Sequence, residues 1–474
     1  MPSRLALLWV AALAVCCGTA IGSVLSDRWV VVPAVALGAP LVFLRRRPMA
    51  AVVGLVLVAG AAAMLNSQTR LAPRGPLGEL ARDVPRCSVE GRVIEDIGGL
   101  GSLVTIDAAR CGDWSGAELG VAALSERAAD PGARFQAVGW LVPLRDDGFD
   151  RSRARLGAQV SLHPATIEVV AEPRHAHAAA ARVRAGLLAA TAEIDVSKRA
   201  LLRGLTIGDT TAIGPATIES FRSSGLSHVL AVSGSNVAIV LGAVLALFSS
   251  VGLRIRVATG FGALALFVLV VGPDASVLRA GVMGAIVLAC LAHGRSAEPL
   301  AALAVAVIMV IALRPGMLFS VGMHLSVAAT AGIVILADVI AARLGPLPRP
   351  IRLLIGASLA AQIGVTPILI LSFEELSLVA PLANALALPA VAPATVIGLA
   401  SGVVAIFSAP LGAFAVRCIE PALAWILVIA RRLGDPGWAT IDVARPWGWL
   451  ALAAMMGFCS VILAQRSRLS RVSP

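Results

Sequence analysis

A short polar group interrupts an apolar stretch of the sequence. It contains His228, Ser233, Gly234 and Asn236, and Asp209 lies in a polar turn shortly before it. A helix in lipid must satisfy its own backbone polar groups, and irregular backbone survives there only inside protein or beside water. We therefore expect this group to mark a break in a transmembrane helix or part of a hydrophilic route.

Ser233 and His228 are also residue types that act as nucleophile and base. They are five residues apart, which places them on different faces of a regular helix, and no carboxylate follows at a spacing that would orient the histidine. A serine hydrolase needs its base within hydrogen-bond reach of the hydroxyl. The spacing therefore gives weak support to an intramembrane hydrolase, and we expect no catalytic residue.

Histidine and cysteine do not cluster in this sequence. Its six histidines and seven cysteines show no grouping at the spacing of metal ligands, and no C-x-x-C pair occurs. The phosphate-binding pattern G-x-x-x-x-G-K-[ST] is missing as well. We therefore expect no metal and no other cofactor, and we predict that the chain is not an enzyme.

More polar residues occur in apolar segments further along the chain. Such groups are costly in lipid and by default mark a pathway or an interhelical pair. Gln362 and Asn384 could simply join helices, Arg417 and Glu420 could neutralise each other, and Arg279 could extend to the lipid headgroups. The pore or helix-break candidates are Asp209, His228, Ser233, Gly234, Asn236, Arg279, His324, Gln362 and Asn384.

The composition is typical of a membrane protein with several spans. Hydrophobic residues make up 58% of the 474 residues and charged residues 14%, which excludes an ordinary soluble protein. The net charge is +11, and Lys198 is the single lysine among its basic residues. The simpler explanation of this net charge is that basic loops stay in the cytoplasm, where they contact anionic lipid. A polyanionic substrate is also compatible with it.

The positive charges indicate the topology. Arg45–Arg47 follow the second of three N-terminal apolar segments, so the positive-inside rule places this loop and the N-terminus in the cytoplasm. We predict a polytopic α-helical protein of the cytoplasmic membrane with about 10 to 12 transmembrane helices and both termini inside. The predicted regions are 1–70 (N-terminal helices), 71–174 (extracytoplasmic β domain), 175–207 (amphipathic surface helix), 208–465 (main membrane domain) and 466–474 (basic cytoplasmic tail).

Residues 71–174 form the long stretch without an apolar run of membrane length. Five short alternating segments separated by turn residues favour a small β-barrel of the OB type, and a β-sandwich would show the same periodicity. Cys87 and Cys111 lie in this domain. In an oxidising compartment they could form a disulfide, and two separate thiols are the alternative.

Two helical segments have features of their own. Residues 175–207 interleave charged residues with Ala, Leu and Val, which predicts an amphipathic helix on the membrane surface. Contact with lipid headgroups is its simpler role, and guidance of a polyanion toward a pore is the other. Residues 378–407 form a span that Pro381, Pro389 and Pro393 could divide into two half-helices.

The region around the polar group resembles the signature of the ComEC competence family. The resemblance rests on Gly208-Asp209, Phe221, Gly225 and the run Ser-His-Val-Leu-Ala-Val-Ser-Gly-Ser-Asn-Val at 227–237. Further blocks follow in the family's order, including one around Arg279 and one at 381–389. Many members have a second histidine where this chain has Asn236.

The resemblance implies a membrane channel that carries single-stranded DNA into bacteria, with the β domain outside. A separate DNA receptor, translocation ATPase and nuclease are then expected as partners, besides membrane lipid. Larger members append a metallo-β-lactamase-like domain, and this chain resembles a short form without it, so nuclease activity is expected to be absent. A small-solute transporter of the same fold is the alternative.

Overall fold

The computed structural model describes residues 76–96, 101–125, 129–145, 150, 153–154, 156–230 and 232–455. The predicted N-terminal spans, their arginine loop and the basic tail lie outside these residues. The described residues form two compact units. The first contains those up to Ala185 with Val251–Ala297 and Ala304–Ser320, and the second contains Gly186–Ser250, Glu298–Leu303 and those from Val321 onward.

The first unit begins with a sheet domain, as predicted. After the short helix α1 (Pro76–Leu80), five strands close into a barrel in the order β1-β2-β3-β5-β4. All neighbours are antiparallel except β3 and β5, which pair in parallel. The strands are β1 (Arg86–Asp96), β2 (Ser102–Cys111), β3 (Trp114–Leu124), β4 (Arg134–Pro143) and β5 (Val160–Ala171).

Alternating apolar residues fill the barrel. Successive side chains of a strand point to opposite faces, so every second residue can reach the interior. On β1 the buried residues include Val89 and Val93, and on β4 they are Phe135, Ala137 and Leu141. The residues between them face outward, which leaves a polar outer surface with a few exposed aromatic side chains.

Cys87 and Cys111 are joined in a disulfide. They lie on the paired strands β1 and β2, where their Cα atoms are 4.2 Å apart. The two separate thiols that the sequence left as an alternative are therefore not found. The bond connects the start of β1 to the end of β2 and adds a covalent link to the hydrogen-bonded ladder.

Helices make up most of the remaining described chain. Six of them, α7, α8 and α10 to α13 in the list below, are long and apolar enough to cross a membrane, and α6 and α9 are shorter apolar helices. A helical membrane protein with several spans is confirmed. The helices are α2 (His175–Ala190), α3 (Val196–Ile207), α4 (Pro215–Ser223), α5 (Ser227–Leu230), α6 (Gly234–Leu247), α7 (Leu253–Val271), α8 (Ala275–Ala292), α9 (Pro299–Leu313), α10 (Val321–Arg343), α11 (Arg349–Phe373), α12 (Ala380–Ala405) and α13 (Ala409–Gly434).

The structure differs from the single surface helix expected at 175–207. Asp195 ends the turn after α2, and its carboxylate accepts the backbone N–H groups of Ser197 and Lys198, which caps the start of α3. This cap begins a new helix. The residues Ala200, Leu201, Leu202 and Leu205 of α3 are buried, so α3 belongs to the core of the second unit and not to its surface.

The predicted proline break in residues 378–407 is also absent from the structure, because α12 runs without interruption past Pro389 and Pro393. A proline in a helix removes one hydrogen bond and crowds the carbonyl of the preceding turn. Here Trp425 of α13 donates its indole N–H to the carbonyl oxygen of Leu386 at 2.9 Å. Pro389 removes the usual partner of the Ala385 carbonyl, and the bond to Leu386 lies one residue further on, so it anchors this turn to α13 without replacing the lost bond.

Two arginines, the buried Arg184 and the half-buried Arg314, connect the barrel to helices within the first unit. Arg184 of α2 pairs with Asp130, which precedes β4, at 2.8 Å. It also donates to the carbonyl oxygens of Leu269 and Val270, in the last turn of α7. A cation at this end of a helix satisfies free carbonyls and complements the helix dipole.

The second connection joins Glu95, at the end of β1, to Arg314, which follows α9. Both guanidinium end nitrogens of Arg314 bond to the carboxylate of Glu95, one of them at 3.1 Å. Glu95 is only 2% exposed. Burial raises the pKa of the Glu95 carboxyl, Arg314 works against this increase, and the nearby carboxylate of Asp274 adds to it.

Small residues allow α10 and α11 of the second unit to touch along their backbones. A Cβ atom on Gly332 would lie 2.5 Å from the carbonyl oxygen of Ala360, and one on Gly364 would lie 2.5 Å from that of Ala328. Since no attraction between apolar surfaces drives helices together in lipid, such close packing is a main source of their association. This contact holds the α10–α11 pair.

The first prediction tests this helix contact. We expect Gly364→Ala to destabilise the protein by about 1–3 kcal/mol, because the added methyl group has no space beside Ala328. Gly262→Ala on α7 is the matched control, since a Cβ atom there meets no atom within 4 Å. Thermal unfolding of both variants in detergent micelles measures the difference. Equal melting temperatures would show that α10 and α11 do not touch at this point.

The second prediction concerns pH and Glu95. A raised pKa means that the folded protein holds this proton more tightly than the unfolded chain. The resulting stabilisation is complete below pH 4.5, the ordinary pKa, and is lost as the pH rises through the raised value. We expect the melting temperature of the native protein to fall relative to that of Glu95→Gln between about pH 4 and 7. Glu90→Gln, on the exposed face of β1, should leave the native pH profile unchanged, and parallel curves for all three proteins would contradict the assignment.

Candidate functional site at the interrupted helix

The chain enters the polar group through a tight turn after α3. Gly208 ends this helix with a left-handed backbone at φ 73°. Asp209 then accepts hydrogen bonds from both the backbone N–H and the hydroxyl of Thr211, at 3.1 and 2.6 Å. Asp209, a pore candidate in the sequence, therefore closes the turn with its own side chain.

A second turn follows between α4 and α5. Gly225 has φ 73°, and a Cβ atom on it would lie 2.3 Å from the Cβ of Ala380 at the start of α12. Both the left-handed backbone and the lack of space select glycine here. Phe221 is fully buried just before the turn, and its carbonyl oxygen accepts the N–H of Leu226.

The helix is interrupted at the polar group, where the sequence predicted a break. α5 ends at Leu230, Ser233 has an extended backbone with φ −107° and ψ 165°, and α6 begins at Gly234. With 14 residues, α6 is shorter than the roughly 20 residues that cross the hydrocarbon core of a bilayer. The structure thus places the change of conformation at the polar residues themselves.

Asn236 connects this interruption to the end of α3. Its side chain is 2% exposed, and its Nδ2 donates to the carbonyl oxygen of Leu205 at 3.0 Å. The last four carbonyls of a helix have no partner within the helix, and Leu205 lies in the last turn of α3. Asn236 therefore acts as a remote cap for α3 and is the central residue of the site.

The two serines continue this network. The hydroxyl of Ser233 lies 2.5 Å from that of Ser235 and donates to Oδ1 of Asn236 at 3.3 Å. His228 is exposed, and within the described residues no hydrogen bond joins it to Ser233. The serine hydroxyls are thus used to orient Asn236, and the pairing of base and nucleophile that a hydrolase requires is not formed.

A basic residue lies close to the turn. Partial burial lowers the pKa of Arg203 on α3, and the carboxylate of Asp209 opposes this effect. Arg203 remains a cation in either case, because an arginine side chain is effectively always protonated in proteins. The end of α3 therefore combines a positive charge, a carboxylate and the hydroxyl groups of the interrupted helix.

The remaining candidates are distributed over other helices. His324 is exposed on α10, while Gln362 on α11 and Asn384 on α12 are partly buried. Arg279 is buried in α8 of the first unit, where it reaches the sulfur atom of Met283 at 3.1 Å. The structure brings Asp209, Ser233, Gly234 and Asn236 together at the end of α3, but it does not gather all nine candidates in one place.

Two ion pairs were missed by the sequence analysis. Arg417 and Glu420 of α13 do not neutralise each other: Arg417 pairs with Glu193, and Glu420 pairs with Lys198 at 3.2 Å. The pairing was not evident from the sequence because more than 200 residues separate the partners. The detectable signal was the placement of two charges in an apolar helix, which calls for partners elsewhere.

In the part of the chain that the structure describes, no group of three or more His, Cys, Asp or Glu side chains could hold a metal ion. The candidate site is instead a hydrogen-bonded network of neutral side chains at a helix interruption. Its geometry is that of a structural junction between the interruption and the end of α3.

Comparison with known proteins identifies the class of protein. The model of the Competence protein family matches residues 205–468, which is more than half of the chain, and the chain belongs to this family. It is also similar to ComE operon protein 3 of Bacillus subtilis (strain 168), with 25% identity over 252 residues. That alignment covers 52% of this chain and 32% of the relative. No solved structure matches the chain.

The third prediction tests the role of Asn236. In Asn236→Asp the carboxylate keeps the shape of the side chain but removes the donor and places a negative charge against the carbonyl of Leu205. We expect a loss of about 2–3 kcal/mol, because a buried acceptor is left unsatisfied. Ser235→Ala is the control, since Ser235 is exposed and touches the network only through Ser233. The measurement is the melting temperature in detergent. Equal values for Asn236→Asp and Ser235→Ala would contradict this role of Asn236.

Proposed function

We propose that this protein is a channel through which single-stranded DNA crosses the cytoplasmic membrane during competence. The observation that carries the proposal is the family match. It starts at Leu205, whose carbonyl Asn236 caps, and it includes both the interrupted helix and all six candidate spans. The part of the chain that resembles competence proteins is thus the part with the unusual membrane features.

The helical region has properties that a route for a polyanion needs. A nucleic acid strand must exchange its counterions for protein charges and keep a wet path across a medium of low dielectric constant. The chain breaks a helix at polar residues within this region and carries several charged side chains in apolar helices. These features support a hydrophilic passage.

We assign the barrel to the OB type. Its strands follow the order β1-β2-β3-β5-β4, and OB folds are five-stranded barrels that often bind single-stranded nucleic acid. Trp140 is 41% exposed and has the guanidinium of Arg86 5.6 Å from its ring centroid, and Trp114 is 38% exposed. Phe135, a further aromatic residue of this domain, is buried in the core. In this proposal the bases of the DNA strand would stack on the two exposed tryptophans.

The proposed orientation places the barrel outside the cell and both termini in the cytoplasm. The positive-inside rule supports this arrangement, and the Cys87–Cys111 disulfide is consistent with an oxidising compartment. In this proposal the chain conducts the strand without cleaving it. A DNA receptor, an ATPase that drives translocation and a nuclease would be separate polypeptides.

The fourth prediction tests DNA passage. Vesicles containing the full chain are loaded with a single-strand-binding protein as a trap, and fluorescent single-stranded DNA is added outside. We expect accumulation that vesicles without the protein lack. Trp140→Ala should lower accumulation at limiting DNA by about 5- to 100-fold, since stacking contributes about 1–3 kcal/mol per base.

The matched control is Trp438→Ala, which removes another exposed tryptophan, 64% exposed and far from the barrel in sequence. It should accumulate DNA like the native protein. If no variant, including the native protein, passes DNA into trap-loaded vesicles, the channel proposal fails while family membership stands. If both tryptophan variants behave alike, the barrel does not bind the strand through Trp140.

A further inference from the structure

The charges of α13 lie where a membrane helix should have none. Arg417 follows the first eight residues of this 26-residue helix, and Glu420 precedes its last fourteen. Arg431 and Arg432 lie in the last turn. The uninterrupted apolar runs are therefore only residues 409–416 and 421–430.

Neither apolar run is long enough to cross a bilayer alone. The hydrocarbon core takes about 20 helical residues, and runs of this length are typical of buried or re-entrant segments. Yet the whole helix qualifies as a candidate span. If α13 crosses the membrane, Arg417 and Glu420 must lie within the hydrocarbon layer.

The partners of these charges lie in the turn between α2 and α3 and at the start of α3. Glu193 is part of the turn at residues 191–195 between α2 and α3, and Lys198 lies in the first turn of α3. Arg199 donates to the carbonyl oxygens of Ala192 and Ile194 in the turn, at 2.8 and 3.0 Å. The ion pairs thus hold a non-helical segment against the middle of α13, and all these residues belong to the second unit.

The pairs are not shielded by protein. The side chains of Arg417 and Glu193 are 60% and 66% exposed, and those of Lys198 and Glu420 are 28% and 30% exposed. Irregular backbone and ionised groups are tolerated at membrane depth where they are buried in protein or line a water-filled cavity. An arginine can extend toward the headgroups, but the short side chain of Glu193 on its turn cannot.

We infer that the 191–195 turn and the charged side chains of α13 line a water-filled cleft. This cleft reaches into the membrane-spanning part of the second unit. The charged residues along this cleft, here called the stripe, are Arg417, Lys198 and Arg199 with Glu193, Asp195 and Glu420. Three positive and three negative formal charges balance. Such a wall is hydrated without attracting either sign of charge strongly. The inference goes beyond the proposed function, because it holds for any solute that uses the cleft.

The fifth prediction tests water access by cysteine labelling. The full chain is prepared with Cys87 and Cys111 retained and the other five cysteines replaced, and Arg417→Cys or Glu193→Cys is introduced. A third protein keeps the native Cys418, which is exposed beside Arg417 and leaves both ion pairs intact. Membrane vesicles of both orientations are treated with a sulfonated, membrane-impermeant maleimide, which reacts with the thiolate form that needs water.

Three controls set the scale of labelling. Arg295→Cys lies in the exposed loop between α8 and α9, while Ile333→Cys and Ile363→Cys lie at exposed apolar positions in the middle of α10 and α11. We expect positions 417, 193 and 418 to label within about tenfold of position 295, and positions 333 and 363 at least about 100-fold more slowly, as water access to the thiolate requires.

The opposite pattern would overturn the inference. If positions 417, 193 and 418 in membranes react as slowly as position 363, and all react after unfolding in detergent, the stripe faces lipid or protein and no cleft exists. Because the native Cys418 protein keeps all charges, a folding defect of the other two variants would not obscure the result. Labelling does not depend on DNA, so its outcome is independent of the transport test.

Discussion

Backbone carbonyls that a helix cannot satisfy by itself govern how this protein folds. The carbonyl of Leu205 at the end of α3 accepts a hydrogen bond from Asn236, and those of Leu269 and Val270 at the end of α7 accept hydrogen bonds from Arg184. In water such groups would bond to solvent, but the lipid interior offers none. Each donor therefore specifies which helix end lies beside it, and removal of the donor leaves a buried acceptor without a partner.

The same requirement explains the tolerated irregularities. α12 continues through Pro389 with Trp425 bonded to the carbonyl of Leu386 in the preceding turn, and Ser358 donates to the carbonyl of Pro381 at the start of the same helix. The interruption before α6 is stable because Ser233 and Asn236 form a closed network with the end of α3. Polar side chains in the apolar half of the sequence are thus first of all partners for backbone groups, and their functional value depends on the shape that results.

Charged side chains fall into two classes according to their surroundings. The pairs Arg184–Asp130 and Arg314–Glu95 are largely buried, and each joins the barrel to helices of its own unit. Removing one partner of such a pair leaves an uncompensated charge, which typically destabilises by about 3–5 kcal/mol. The pairs on α13 are more exposed and so depend on water. The first class thus fixes the barrel against its helices, and the second joins α13 to the start of α3 and the turn before it.

Much of the architecture follows from local patterns in the sequence. Alternation of apolar residues predicted five strands, and long apolar runs predicted the spans, because both patterns reflect which faces are removed from water. The start of β3 shows no such alternation, because Ser115, Gly116 and Ala117 have weak strand preference and are held by pairing with β2 across a two-residue turn.

The sequence by itself determined that the chain is a helical membrane protein with a sheet domain, where its polar interruption lies, and which family it resembles. The tertiary structure alone decided that Cys87 bonds to Cys111, that α12 passes its prolines, and that Arg417 and Glu420 pair with Glu193 and Lys198. The physical reason is the separation along the chain between the residues that interact. Periodicity and composition record how each segment meets water or lipid, whereas the partner of a carbonyl, a thiol or a charge depends on contacts between residues far apart in the chain.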